Sequence, residues 1–262
     1  MNYTKLFIED DPKLMPRLIK LTKKFKDLYS GNSDLIIRAP GRAEIIGNHT
    51  DYNSGFALSC CISRSIVIFF KKRNDKTVRI LSTGFSKTPL IFSISESLKP
   101  DLKNLWVNYA KGVIQKLTQE YPKNNFLGVD ILLESNIPIG SGVSSSAAYE
   151  LAIAYGLMTL NKIRIDKMKT ALLCQKAEND FVGSPCGFLD QGTITFGTHN
   201  NLVFMDFQPK NNQPVSVVKT IPLNSNQMDA DFIIAVDREA KHDLGASGYP
   251  IRRKMCEDSL PF

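Results

Sequence analysis

Long apolar runs are missing from this chain of 262 residues. No stretch approaches the roughly 18 residues that a membrane-spanning helix needs, and residues 1–11 lack the apolar core of a secretory signal. No membrane partner is expected, and the simplest location is cytoplasmic. Cysteine is sparse. The five thiols (Cys60, Cys61, Cys174, Cys186 and Cys256) are odd in number and form no C-x-x-C pair, which argues against a zinc site or a disulfide framework and for reduced cysteines. Only three histidines occur, His49, His199 and His242, so acid–base chemistry has few imidazoles to draw on. There is no internal repeat, no low-complexity linker, no G-x-x-x-x-G-K-[ST] loop, no dinucleotide fingerprint and no protein-kinase signature. A net charge of +7 raises the question of nucleic acid. The excess is dispersed, however: its longest clusters are Lys23-Lys24 and Lys71-Lys72-Arg73, and no nucleic-acid-binding module accompanies them.

What is present is an ordinary globular composition, 43% hydrophobic, which rules against disorder. The first thirty residues read as a helix with Leu14, Leu18, Leu21, Phe25 and Leu28 on one face. Residues 35–38, 66–70, 202–207 and 232–236 read as strands, and Val78 and Ile80 alternate with polar residues. Val129, Ile131 and Leu133 alternate with Asp130 and Glu134, the pattern of a half-buried strand. Leu102, Leu105, Trp106, Tyr109, Val113 and Leu117 form a second helical stripe, and 165–181 a further helix. Strands and helices are interspersed without a regular βα repeat, so the class is α+β.

The most informative stretch is Pro138-Ile139-Gly140-Ser141-Gly142-Val143-Ser144-Ser145-Ser146-Ala147-Ala148. It follows the strand at 129–133 and runs into a helix carrying Leu151, Ala154, Tyr155 and Met158. A Gly/Ser loop at a helix N-terminus directs unpaired N–H groups and the positive end of the dipole at one point, which is an anion site. Gly140 and Gly142 let the backbone approach a phosphate with no Cβ in the way. The serines add hydroxyl donors and an oxygen ligand for Mg²⁺. A basic surface also suits an enzyme acting on a polyanionic nucleotide.

A second stretch, 38–55, is punctuated by Pro40, Gly41, Gly47 and Asn53 and reads as a loop. It holds Arg42, Asn48, His49 and Asp51 within ten residues. Such groups can pair neighbouring hydroxyls of a polyol, and a wrong epimer would leave buried polar groups unpaired.

The string P-x-G-x-G-V-S-S-S-A-A resembles the phosphate loop of the GHMP small-molecule kinases. This implies ATP as co-substrate, with Gly140, Ser141, Gly142, Val143, Ser144, Ser145 and Ser146 around its phosphates. G-R-A-E-I-I-G-N-H-T-D-Y-N-S-G, beginning at Gly41, resembles the galactokinase signature. It departs from the commonest pattern at two places: Glu44 stands where Asn is usual, and Asn48 where the family has a sugar-binding Glu. A third stretch, A-E-N-D-F-V-G followed by C-G-F-L-D-Q at 186–191, sits at the family's spacing after the serines. By that resemblance Asp190 is the base that takes the proton of the sugar C1 hydroxyl, and Arg42 stabilises charge on the transferred phosphoryl group. Glu178 joins Ser146 on Mg²⁺. Asn48, His49, Thr50, Asp51, Gly187 and Tyr249 line the sugar pocket, with Arg42 and Asp190. Trp106-Val107-Asn108-Tyr109 matches a family motif near the nucleotide base; for Trp106 a place in the helix core is an equal reading.

The resemblance implies a GHMP kinase fold, with a ribosomal-protein-S5-like N-terminal domain over 1–215 and an incomplete C-terminal α+β domain over 216–262, the break near 211–226. It further implies phosphorylation of α-D-galactose at C1, by a monomer whose partners are the sugar and ATP. N-acetylgalactosamine kinase and a catalytically silent sugar/ATP-binding regulator are the alternatives. A Gly-rich third motif found late in the longer family members does not occur here, so a fragment, a truncated product and a short paralogue all remain open.

Overall fold

The computed structural model describes residues 13–95, 97–209, 215–223, 233–235 and 249–259. Its frame is a sheet of seven strands in the order β4-β3-β5-β2-β6-β7, with β1 paired to β2 off that path. The spine is β2 (Phe56–Lys72), whose middle, 66–70, is an unbroken run of β-branched and aromatic residues. Along one edge it pairs with β1 (Leu35–Ile46), and along the other with β5 (Val129–Ser135) and then β6 (Asn201–Asp206), all antiparallel. Next to β5 runs β3 (Thr77–Ser82), the one parallel neighbour among these strands, followed by β4 (Leu90–Ser93). At the far side β7 (Val217–Pro222) pairs with β6 in full register from Val217 opposite Asp206 to Pro222 opposite Asn201. The expected boundary at 215/216 thus falls between Val215, buried beside Phe188, Leu189 and Met205, and the next strand of the same sheet.

Pleating sends alternate side chains to opposite faces, and both faces are covered. Ile66, Ile68 and Phe70, with Val78, Ile80, Val129 and Ile131, pack under α2 (Val107–Glu120), α3 (Ser145–Leu160) and α4 (Lys167–Ala177). Val67, Phe69, Leu81 and Leu132 pack under α1 (Leu14–Tyr29), through Leu14, Leu18, Leu21, Phe25 and Tyr29 at helical spacing. A third cluster joins α5 (Leu189–Phe196) to β6 through Phe188, Leu189, Val203 and Met205.

Several sequence expectations change. The strand at 129–133 is not half-buried: α1 covers its second face, and Asp130, 2% exposed, is neutralised by Arg79 at 2.6 Å and Arg73 at 3.1 Å. The stretch 38–55 is a loop only from Gly47 onward, because β1 continues to Ile46 and absorbs Pro40 and Gly41 with a register shift between Pro40 and Arg42; glycine and proline inside a strand mark such irregularities. The helical stripe from Leu102 begins only at Val107. Asp101 Oδ1 accepts from the backbone N–H groups of Lys103 and Asn104, forming a turn that leaves Leu102 and Leu105 exposed. The helix expected over 165–181 is α4, capped by Asp166 accepting from Lys169 N, and it widens into a π-helical turn at Glu178–Val182. In the stretch 232–236, residues 233–235 are not a strand, and 232 and 236 lie outside the described residues. All five cysteines are free. Among the described residues no helix is long and apolar enough to cross a membrane.

Candidate active site

β5 delivers the chain to the Gly/Ser loop, which turns through left-handed backbone at Gly140 (φ 68°), Gly142 (φ 67°) and Ser144 (φ 59°) before α3 starts at Ser145. No side chain caps α3, so the N–H groups of its first turn carry no protein acceptor of that kind. Ser144 is buried, and its Oγ has no hydrogen-bond partner among the described residues. An orphaned buried hydroxyl beside open helix N–H groups fits an anion that supplies the missing acceptor.

β1 lies against this loop. Arg42 N donates to Val143 O at 3.1 Å, and the guanidinium donates to Gly142 O. The approach requires glycine at position 41, where a Cβ would stand 2.7 Å from Val143 O. From the same place Arg42 reaches Asp190 on the first turn of α5, with Nε at 2.9 Å and Nη2 at 2.5 Å. The pair is mostly shielded, its side chains 12% and 25% exposed. Asp51 approaches α5 from the other side and accepts from Leu189 N at 3.2 Å. It sits where a Cβ on residue 187 would be, which is why Gly187 is needed. Burial pushes the Asp51 carboxyl up, and its helix N–H bond draws it back down.

Behind Asp190 lies a buried acid pair. Glu178 opens the π-helical turn, and Glu150 lies on α3 four residues past Ser146, hence on the same helix face. Gln191 Nε2 bridges them, at 2.8 Å from Glu178 and 3.2 Å from Glu150. Burial pushes both carboxyls up, Glu150 well above its ordinary range and Glu178 to about 7, reinforced by the charge of Asp190. Hydrogen bonds from Ser146, Cys186 and Gln191 act against the shift at Glu178. Ser146 and Glu178, nominated together for a cation, are thus brought together.

These groups border one cleft of about 1040 Å³. Its lining includes Arg42, Asn48, His49, Asp51, Gly187 and Asp190 on one side. Gly140, Ser141, Gly142, Val143, Ser144, Ser145, Ser146 and Glu178 form the other. Two nominated residues lie off the lining. Thr50 gives its hydroxyl to Gly47 O and Phe56 O at 2.6 and 2.7 Å, pinning the loop. Trp106 stacks on Phe85, with ring centroids 5.9 Å apart, at the edge of the helix core. Tyr249 opens α6 (Tyr249–Ser259), and its side chain lies outside what is described. His49 Nδ1 bonds the Tyr52 hydroxyl, and Arg253 of α6 lies over the Tyr52 ring. The sequence reading missed Glu44, Ser184, Cys186, Ile233, Ile234, Ala235 and Arg252, all on the lining, as well as Glu150 and Gln191 behind it. Gln191 follows Asp190 directly and Glu150 follows the serines, so adjacency to the motifs was the available signal. Ile233, Ile234 and Ala235 read only as part of a strand, with nothing to place them at a site.

Residues 108–198 match the N-terminal domain of the GHMP kinases, and residues 23–72 match the galactokinase galactose-binding signature. The first match takes in the Gly/Ser loop and Asp190, the second the 38–55 stretch. It is 34% identical over 249 residues to a curated galactokinase of Glaesserella parasuis serovar 5 (strain SH0165), covering 95% of this chain and 61% of that protein. A crystal structure of Lactococcus lactis galactokinase complexed with galactose superposes with a TM-score of 0.70 at 32% identity, covering 79% of this chain and 52% of that one. Methanococcus jannaschii mevalonate kinase shares the fold at a TM-score of 0.59 and 20% identity, covering 73% of this chain and 56% of that one. The mixed sheet and helices described above are therefore a GHMP kinase fold. The chain spans between half and two thirds of the length of these relatives.

Proposed function

We propose that this chain belongs to a galactokinase, which transfers the γ-phosphoryl group of ATP to the C1 hydroxyl of α-D-galactose, giving galactose 1-phosphate and ADP. The observation that carries the reading is the position of the Arg42–Asp190 pair, seated between the Gly/Ser loop and the 47–55 loop and bonded to the former. Phosphoryl transfer depends mainly on positioning and on electrostatic stabilisation, and each part has a candidate.

The N–H groups of the Gly/Ser loop and of the first turn of α3 hold the phosphates. Asp190 accepts the proton of the C1 hydroxyl as its oxygen attacks phosphorus. The Arg42 guanidinium stabilises charge developing on the equatorial oxygens. Asn48, His49, Asp51, Gly187 and Tyr249 position the sugar. Ser146 and Glu178 would hold Mg²⁺, which would supply positive charge against the phosphates. Among the described residues no group of three His, Cys, Asp or Glu side chains gathers around one point. A magnesium ion held by one or two protein oxygens, with phosphates and water completing its shell, suits this arrangement. On this reading the protein works in the cytoplasm as a monomer.

The test is ADP release with ATP and Mg²⁺ over a panel of hexoses. Turnover with galactose is expected, and its loss on chelation of the cation. Turnover with N-acetylgalactosamine alone would move the reading to that kinase. Binding of sugar and nucleotide without ADP release would make the protein a regulator.

A further inference from the structure

The cleft contains a carboxylate without an assigned task. Glu44 stands two residues beyond Arg42 on β1, opposite Ser59 of β2 and just before the strand's last register shift. Side chains two apart in a strand leave the same face, and Glu44 lines the cleft with Arg42 and Asp190. It is half-buried, and among the described residues its carboxylate has neither a hydrogen bond nor an ion pair. The charges facing it are Arg42, His49, Asp51 and Asp190. Neither cation serves as its partner: Arg42 is committed to Asp190 and Gly142 O, and the His49 ring to Tyr52. Burial consequently pushes the Glu44 carboxyl up.

A partly desolvated carboxylate with no donor is costly unless something supplies one. The cation site does not, since the groups that act on Glu178 are Asp190, Ser146, Cys186, Gln191 and Glu150. Asn48, which the loop motif puts forward for the sugar, is exposed, whereas Glu44 is half-buried. Relative to the commonest signature the acid and the amide have changed places, and the structure puts both on one cleft.

We propose that Glu44 is a sugar-binding residue, its carboxylate accepting hydrogen bonds from one or two hydroxyls near the hydroxyl that Asp190 engages. The inference rests on the galactokinase reading and names a determinant of specificity within it. A carboxylate here favours a neutral polyol and disfavours a sugar acid that brings a second negative charge to the same place.

The experiment measures galactose binding to the 262-residue chain by calorimetry, with a non-hydrolysable ATP analogue present. Wild type, Glu44→Gln and Glu44→Ala are compared. Hydrogen bonds to a charged group are worth enough that Glu44→Ala should weaken galactose about 10- to 100-fold, with Glu44→Gln about tenfold weaker. Nucleotide affinity should stay within about twofold in all of them, a separation that a merely structural role would not produce. Unchanged galactose affinity in Glu44→Gln and Glu44→Ala overturns the inference and leaves the galactokinase reading standing. Parallel loss of sugar and nucleotide binding also overturns it, by showing a structural role. Wild type that binds the nucleotide analogue but no hexose overturns both.

Discussion

Arg42 holds Asp190 by a single oxygen: Nε at 2.9 Å and Nη2 at 2.5 Å both donate to Oδ1. Oδ2 accepts no hydrogen bond from a described side chain. The carboxylate is thereby fixed in orientation yet keeps one oxygen for a substrate proton, the geometry a general base needs. Asp190→Asn preserves shape and removes basicity. Its turnover should fall about 10²- to 10⁴-fold, with the KM for ATP nearly unchanged. A steady-state ADP assay decides, and a loss below tenfold would remove Asp190 from the role of base.

Gly187→Ala should damage the sugar side selectively. The new Cβ occupies the place of the Asp51 carboxylate, so Asp51 must leave Leu189 N or push α5 away. Overpacking of this kind costs about 1–3 kcal/mol, seen as a lower melting temperature. Galactose affinity should drop while ATP affinity holds, because the Gly/Ser loop is not touched.

The buried acid pair makes folding pH-dependent. Glu178 rises from its ordinary 4.5 to about 7, chiefly through burial. The folded state therefore keeps a proton that the unfolded chain releases, and this stabilisation is lost as pH rises from about 4.5 through about 7. Glu178→Gln cannot ionise. Thermal melts without cation or nucleotide should show it more stable than wild type at about pH 8 and near parity at about pH 5. Equal differences at the two values would refute the argument.

Away from the cleft, Asp130→Ala should lower stability without changing kinetics. Arg79 loses its bonds at 2.6 Å, while Arg73 keeps Asp75 at the same distance. Breaking a fully buried pair costs 3–5 kcal/mol; with Arg79 32% exposed, about 2 kcal/mol is expected here. Urea denaturation measures it.

Much of this site could be read from the chain because local chemistry dictates it. Gly140, Gly142 and the serines form a helix-initiating loop wherever they occur between a strand and an apolar helix. Asp190 and Glu178 are nominated only because their strings resemble the galactokinase pattern. What could not be read depends on long-range partners. Asp130 looked like a solvent-facing residue because α1, more than a hundred residues earlier, supplies the cover for its strand. Pro40 and Gly41 looked like loop residues because local preference favours turns, and only pairing with β2 keeps them in a strand. Glu44 drew notice as a departure from a pattern, but its half-buried place beside Arg42 depends on how far β1 runs. Gln191 touches both Glu150 and Glu178, a relation between three separate elements that no spacing encodes.

One backbone amide and one guanidinium, both of Arg42, tie β1 to the Gly/Ser loop at Val143 and Gly142, and the same guanidinium holds Asp190. The loop and the Asp190 carboxylate are therefore suspended from a shared mount. Any shift of β1 would carry the loop and Asp190 together, because both hang from Arg42. Alignment in such an arrangement is inherited from a short stretch of strand, and it tolerates loose surroundings better than a site assembled from two independently moving halves.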